Sequence, residues 1–163
     1  PSASTVFVFS GQGSEWPGML KDVASEMDDS ALAVALSEVD AAVSAATAGS
    51  VSVLGSLRSG SDAGWTRQGL LQPVMSAVGI ALASAWRSVG VSPSAVLGHS
   101  VGEIAAGWAA GVCDMAAAAR IAVTRGRIMD EVIDAAEARR RGEADSPPCL
   151  QAAQELSQRE AHG

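Results

Sequence analysis

The stretch VLGHSVGEIAAGWAAG, Val96 to Gly111, decides the fold, because an apolar strand pattern is followed in it directly by an Ala- and Gly-rich helix pattern. Its GHSVG segment, Gly98 to Gly102, fits G-x-S-x-G, in which a sharp turn from strand to helix lifts a serine hydroxyl clear of a sheet. An oxyanion formed at Ser100 would face the free N–H groups at the start of that helix. The stretch therefore predicts a nucleophilic serine, with an ordinary turn serine as the alternative.

The sequence on either side of this stretch alternates between strand and helix patterns. β-Branched and aromatic residues in TVFVF, Thr5 to Phe9, predict a buried strand, and Ala95 to Gly98 predict a second one. Helices are predicted after Pro17, over ALAVALSEVDAAVSAA behind a cap at Asp29 or Ser30, over LLQPVMSAVGIALASAWRSVG up to Gly90, and after the cap Asp114. The Ser, Gly and Asp content of residues 50–69 predicts a loop, with one short apolar piece at Val51 to Leu57. This order favours an α/β fold with a parallel sheet flanked by helices.

Two of these helices have predicted inward faces. On the helix that Gly90 ends, the face consists of Val74, Val78, Ala81, Leu82 and Trp86. On the helix after Asp114, the residues three and four positions from Arg125 are Ile121, Ala122, Ile128 and Met129, so Arg125 is predicted to point inward. A guanidinium that points inward needs an anion. The partner is either a carboxylate of the protein or a carboxylate of a substrate.

The loop after the first strand, SGQGSEWPG, is a candidate for binding through its backbone. Gly11 and Gly13 flank Gln12, and glycines let backbone N–H groups approach a ligand, here as the second half of an oxyanion hole. A dinucleotide-binding G-x-G-x-x-G is excluded because its third glycine position holds Trp16. A glycine-rich turn without a ligand is the alternative.

Composition and charge exclude several classes of protein. The 163 residues are long enough for one domain with its own core, and 48% hydrophobic content excludes a disordered chain. A net charge of −7 argues against nucleic acid as a partner. The sequence lacks the pattern of a signal peptide or a membrane span, so a cytoplasmic protein without a membrane partner is expected. Cys113 and Cys149 have no metal-ligand spacing, and no metal is expected.

The remaining ionisable residues have structural interpretations. His99 adjoins Ser100, where successive side chains point in different directions, so a supporting role in the turn is preferred to catalysis. His162 is interpreted as part of a solvated terminus. Arg139, Arg140 and Arg141 predict a solvated helix face, with docking of a carrier protein as the alternative.

Three stretches together resemble the acyltransferase domain of modular type I polyketide synthases: VFVFSGQGSEWPGM, LLQPVMSAVGIALASAWRSVGVSPSAVLGHSVGEIAAGWAAGV and RIAVTRGRIM, from about Thr5 to Met129. Members of that family move a malonyl-type unit from coenzyme A onto a serine, and then onto an acyl carrier protein. The resemblance implies an α/β-hydrolase-like large subdomain, a coenzyme A thioester as substrate rather than a cofactor, neighbouring synthase domains as partners and a part in antibiotic biosynthesis.

The resemblance also implies roles for residues of this sequence. Ser100 would carry the acyl group, supported by Gly98, His99 and Gly102 in the turn. The backbone N–H groups of Gln12 and Val101 would form the oxyanion hole, and Arg125 would bind the malonyl carboxylate. The small Val101 resembles malonyl-selective members.

The sequence departs from the family in two places. Glu15 stands where the family usually has Gln. Residues 134–163 resemble neither the ferredoxin-like small subdomain nor the segment with the general-base histidine, so a partial large subdomain over 1–133 and a polar helical tail over 134–163 are expected. A truncated domain, weakly active or inactive, follows from this expectation, and a structural or docking element within a synthase is the alternative.

Overall fold

The computed structural model describes residues 4–26, 29–60 and 65–142. Strands β1 (Val6–Phe9) and β2 (Ala95–Gly98) lie where the sequence predicts them, and they pair in parallel with Phe9 opposite Gly98. The prediction that they are buried is wrong for much of their length, since Val8 and Leu97 are 69% and 62% exposed. Because the strands are parallel, the loop after β1 and the turn after β2 both leave the sheet at the C-terminal ends of the strands. The backbone N–H of His99 donates to the oxygen of Phe9 at 3.0 Å and continues the pairing one residue further.

Helices flank this small sheet. They are α1 (Lys21–Glu26), α2 (Ala31–Ala46), α3 (Val53–Ser59), α4 (Gln68–Ser88), α5 (Gly102–Ala109) and α6 (Met115–Arg140). Ser30 caps α2, as predicted, by accepting the N–H of Ala33 at 3.3 Å. The first helix starts at Lys21, after a turn over residues 17–20, and therefore later than predicted.

The prediction of a loop over residues 50–69 is wrong where its short apolar piece lies, because α3 forms there. The Ser52 hydroxyl accepts the N–H of Gly55 at 2.9 Å, and Gly60 ends the helix in the left-handed conformation with φ of 60°. Val53 and Leu57 are buried between these ends. The Ser and Gly residues that indicated a loop therefore include the two caps of a short helix.

Helix α4 packs against α2 and α5 at the centre of the core. Its predicted inward face is only partly correct: Val74 and Ala81 are fully buried, whereas Leu82 and Trp86 are 42% and 56% exposed. Its 21 residues are long and apolar enough to cross a membrane, but half of its most apolar window is buried within the protein, as in a core helix.

The chain divides into two compact units, Pro1–Arg127 and Ile128–Gly163. The described part of the second unit is the last half of α6 and its end, where Arg141 lies 3.7 Å from Glu137 with both side chains more than half exposed. Residues 143–163, which include Cys149, His162 and most of the expected tail, lie outside the described residues.

Asp114 caps α6, as the sequence predicts, through its Oδ1 atom, which accepts the N–H of Ala117 at 2.7 Å. We expect Asp114→Ala to destabilise the protein by about 1 kcal/mol, because the N–H loses its acceptor. Asp114→Asn keeps an acceptor oxygen in the same place, so it should destabilise the protein by only a fraction of this amount. Thermal unfolding followed by circular dichroism measures both, and equal melting temperatures for the two variants would contradict the cap.

Candidate active site

Ser100 occupies the turn between β2 and α5 in a strained backbone conformation, with φ of 55°. Glycines on both sides permit this turn. A Cβ atom on Gly98 would lie 2.5 Å from the backbone nitrogen of Glu103, and one on Gly102 would collide with the oxygens of Phe9 and Ser10. The start of α5 therefore lies directly against the end of β1, which brings Ser100 close to the loop that follows β1.

Two backbone N–H groups border this turn without an acceptor. Neither the N–H of Val101, which follows Ser100, nor the N–H of Gln12 donates to another residue within the three described ranges. By contrast, the neighbouring N–H of Gly13 donates to Glu15 Oε2 at 2.6 Å. Unpaired N–H groups in this position are suited to an oxyanion.

Arg125 reaches Ser100 from α6. Its NH2 group donates to the Ser100 hydroxyl at 3.0 Å, and its NH1 group donates to the side-chain oxygen of Gln72. Both partners are neutral, and no described carboxylate lies within ion-pair distance of this half-buried guanidinium. The sequence leaves two kinds of partner open for Arg125, a carboxylate of the protein or one of a substrate. The described residues do not supply the first of these. Among the described residues, the positive charge of this guanidinium therefore has no carboxylate partner beside the serine hydroxyl.

Small residues bring Arg125 into this position. The buried residues of α6 are Ala118, Ala119, Ala122 and Gly126. A Cβ atom on Gly126 would collide with the backbone oxygen of Gln68, so this glycine lets α6 approach the first turn of α4. The predicted inward position of Arg125 is thus found, but the apolar face inferred around it is only partly correct: Ala122 is fully buried, whereas Ile121 and Ile128 are each 48% exposed.

A row of buried polar residues on α4, absent from the sequence predictions, joins Arg125 to the loop after β1. Gln72 is fully buried, and its Nε2 atom donates to Gln68 Oε1 at 2.9 Å. Gln12 Nε2 donates to the same Gln68 oxygen at 3.0 Å. Ser76 follows at the next turn of α4 and donates to the backbone oxygen of Gln72 at 2.8 Å. Their spacing of four residues is the signal in the sequence that could have identified them.

His99 lies in the same turn, but its imidazole packs against Gly11, where an added Cβ would stand 2.5 Å from Nδ1. It is the single histidine of the described ranges. The donor found at the Ser100 hydroxyl is Arg125, and a guanidinium cannot accept a proton from serine. The described residues therefore contain a nucleophile, two oxyanion donors and a cation, but no base in contact with Ser100.

A separate groove of about 540 Å³ lies beside β1. Val6, Val8, Trp16, Leu82 and Trp86 are among its lining residues, whereas Ser100 and Arg125 are not. This apolar groove is therefore distinct from the cluster around Ser100.

Several known proteins are similar to this chain in sequence and in fold. A sequence model of the family described as "Acyl transferase domain" matches residues 6–158, further toward the C-terminus than the resemblance that ended at Met129. Mycoketide-CoA synthase of Mycobacterium tuberculosis is 42% identical over 130 residues, which are 78% of this chain and 3% of that synthase. The chain thus spans a small part of the length of the curated relatives that it matches.

Solved structures show the same mixed α/β fold. The loading acyltransferase of the avermectin modular polyketide synthase matches with a TM-score of 0.68 and 40% identity, over 76% of this chain and 38% of that one. The malonyl-CoA:ACP transacylase of Synechocystis sp. PCC 6803 matches with a TM-score of 0.66 and 29% identity, over 79% of this chain and 41% of that one. The chain therefore belongs to the acyl transferase domain family, within which its relatives are the acyltransferase domains of polyketide synthases.

Proposed function

We propose that Ser100 accepts a malonyl-type acyl group from a coenzyme A thioester and passes it to the phosphopantetheine thiol of an acyl carrier protein. The transacylase of Synechocystis, similar in fold, is named for the same two substrates. In this proposal the chain supplies part of the α/β-hydrolase-like large subdomain over 1–133, residues 134–163 form a polar tail, and the domain works in the cytoplasm beside other synthase domains.

The 3.0 Å contact between Arg125 and the Ser100 hydroxyl carries this proposal. A malonyl thioester bears a carboxylate two bonds from the carbonyl carbon that the serine attacks. A guanidinium whose described partners are both neutral can turn its fork toward such a carboxylate and hold it by two hydrogen bonds. The substrate carboxylate would then supply the anion that the described residues do not place there.

The first half of the reaction uses the turn directly. The Ser100 oxygen attacks the thioester carbonyl, and the resulting oxyanion is held by the N–H groups of Gln12 and Val101. The carbon–sulfur bond then breaks, the serine ester remains, and the serine proton leaves with the coenzyme A thiol. In the second half, the carrier thiol attacks the ester by the same steps in reverse and restores the serine.

We propose that this chain performs the first half slowly. Among the described residues the contact at the Ser100 hydroxyl is a donor, and the imidazole of His99 packs against Gly11. A serine without a positioned base loses on the order of 10²–10⁴-fold in rate.

Intact-protein mass spectrometry after incubation with malonyl-CoA tests the proposed function. We expect a slowly formed adduct of one malonyl group, located at Ser100 by peptide mapping, and only background in Ser100→Ala. Equal labelling of Ser100→Ala would show that the adduct is adventitious, and no adduct on the wild type would reject the acylation step. A burst complete within seconds would instead contradict the slow rate.

A further inference from the structure

We infer that Gln68 is a positioning residue that couples the carboxylate-binding side of the site to the oxyanion side. The inference rests on the proposed function for its catalytic consequence and on the hydrogen bonds of the described residues for its structure. The side-chain oxygen of Gln68 accepts from Gln72 at 2.9 Å and from Gln12 at 3.0 Å. One atom thereby joins the side chain that holds Arg125 to the loop after β1.

Arg125 fixes the direction of every bond in this chain of side chains. A guanidinium only donates, so Gln72 must present its oxygen to Arg125 and its NH2 group to Gln68. Gln68 must then present its oxygen to Gln72, and the same oxygen is the acceptor for the Gln12 amide. The orientation of the three amides follows from the charge at one end. None of the three can turn over without placing a donor against a donor or an acceptor against an acceptor.

The burial of Gln68 and Gln72 makes their side chains depend on these hydrogen bonds. Gln72 is fully buried and Gln68 is 9% exposed, so water does not replace a lost partner at either side chain. Gln12 is exposed, and its contact with Gln68 is what holds its side chain against α4. Without the Gln68 oxygen, the NH2 group of Gln72 loses its acceptor, and of the two side-chain bonds only the one with Arg125 still holds the Gln72 side chain. The loop that carries the Gln12 backbone N–H also loses its side-chain anchor.

Gln68→Met, which keeps the approximate length of the side chain but removes the acceptor, tests the coupling in the full chain. We expect acylation of Ser100 to slow about tenfold with malonyl-CoA and about threefold or more with acetyl-CoA, which has no carboxylate. Gln72→Met leaves the contact between Gln68 and Gln12 in place, so it should slow the reaction with malonyl-CoA alone. Unchanged acetyl-CoA rates in Gln68→Met would overturn the coupling.

Ser76→Ala is the matched control, since Ser76 belongs to the same buried row but bonds only the backbone of Gln72. We expect its rates with both thioesters to stay within about twofold of the wild type. A loss as large as that of Gln68→Met would show that any buried polar change on α4 has this effect, and would overturn the specific role of Gln68.

A measurement without substrate separates this inference from the proposed function. The side-chain amide signals of Gln12 and Gln72 in ¹⁵N NMR spectra should both shift in Gln68→Met, and the Gln12 amide should become more mobile in relaxation measurements. This result would support the coupling even if no thioester acylates the wild type, in which case only the proposed function fails. A shift confined to Gln72 would overturn the coupling.

Discussion

Replacing Arg125 with methionine is expected to slow acylation of Ser100 by malonyl-CoA about 100-fold, while acylation by acetyl-CoA stays within about threefold of the wild type. The guanidinium lies 3.0 Å from the Ser100 hydroxyl, with neutral partners in the described structure. A substrate carboxylate that loses a two-point, charge-assisted contact in such a site loses about 2–3 kcal/mol, which corresponds to this factor. Acetyl-CoA has no carboxylate to lose. Initial rates of adduct formation with the two thioesters give the ratio.

Arg127→Met is the control, because it makes the same change two residues further along α6 on an exposed side chain. Its rates should match those of the wild type with both thioesters. An equal loss of rate with malonyl-CoA and acetyl-CoA in Arg125→Met would contradict carboxylate binding, and would show that Arg125 acts on the serine hydroxyl instead. Arg125→Lys should recover only part of the preference for malonyl-CoA, since an ammonium lacks the planar fork that spans two acceptors.

The turn around Ser100 could be predicted from sequence because its determinants are local. A strand pattern, two glycines around a serine and a helix pattern lie within a few residues, and the parallel pair of strands and the turn are found where predicted. The cap of α6 at Asp114 is local in the same sense. Such signals depend on the backbone conformation of a few neighbouring residues, which a single sequence records directly.

The face of a helix is harder to predict when small residues form it. Counting large apolar residues around Arg125 selected Ile121 and Ile128, but the buried face of α6 consists of alanines and Gly126. Close approach of two backbones needs small side chains, and these contribute little to an apolar pattern. The bonds of Gln68 with Gln12 and of Gln72 with Arg125 were not predictable either, because each joins segments more than 50 residues apart.

We expect Gly102→Ala to destabilise the protein by about 3 kcal/mol, at the upper end of the usual cost of overpacking. A Cβ at this position would collide with the backbone oxygen of Phe9 and stand 2.6 Å from that of Ser10. Neither atom can turn aside as the end of a flexible side chain could, so β1 and α5 must separate. Denaturation with urea, followed by circular dichroism, measures the loss. The same separation should slow acylation, because it moves Ser100 away from the loop that carries Gln12.

Gly107→Ala makes the same substitution on the same helix, but it should stabilise the protein slightly instead of destabilising it. The nearest atom to its added Cβ is Cys113 Sγ at 3.8 Å, an ordinary contact. Inside a helix, alanine is more favourable than glycine by about 0.5–1 kcal/mol, so this variant should be slightly more stable than the wild type. Since helix propensity favours alanine at both positions, the difference between the variants isolates the packing of α5 against β1. If Gly102→Ala proved as stable as Gly107→Ala, the close approach that places Ser100 beside the oxyanion loop would be wrong.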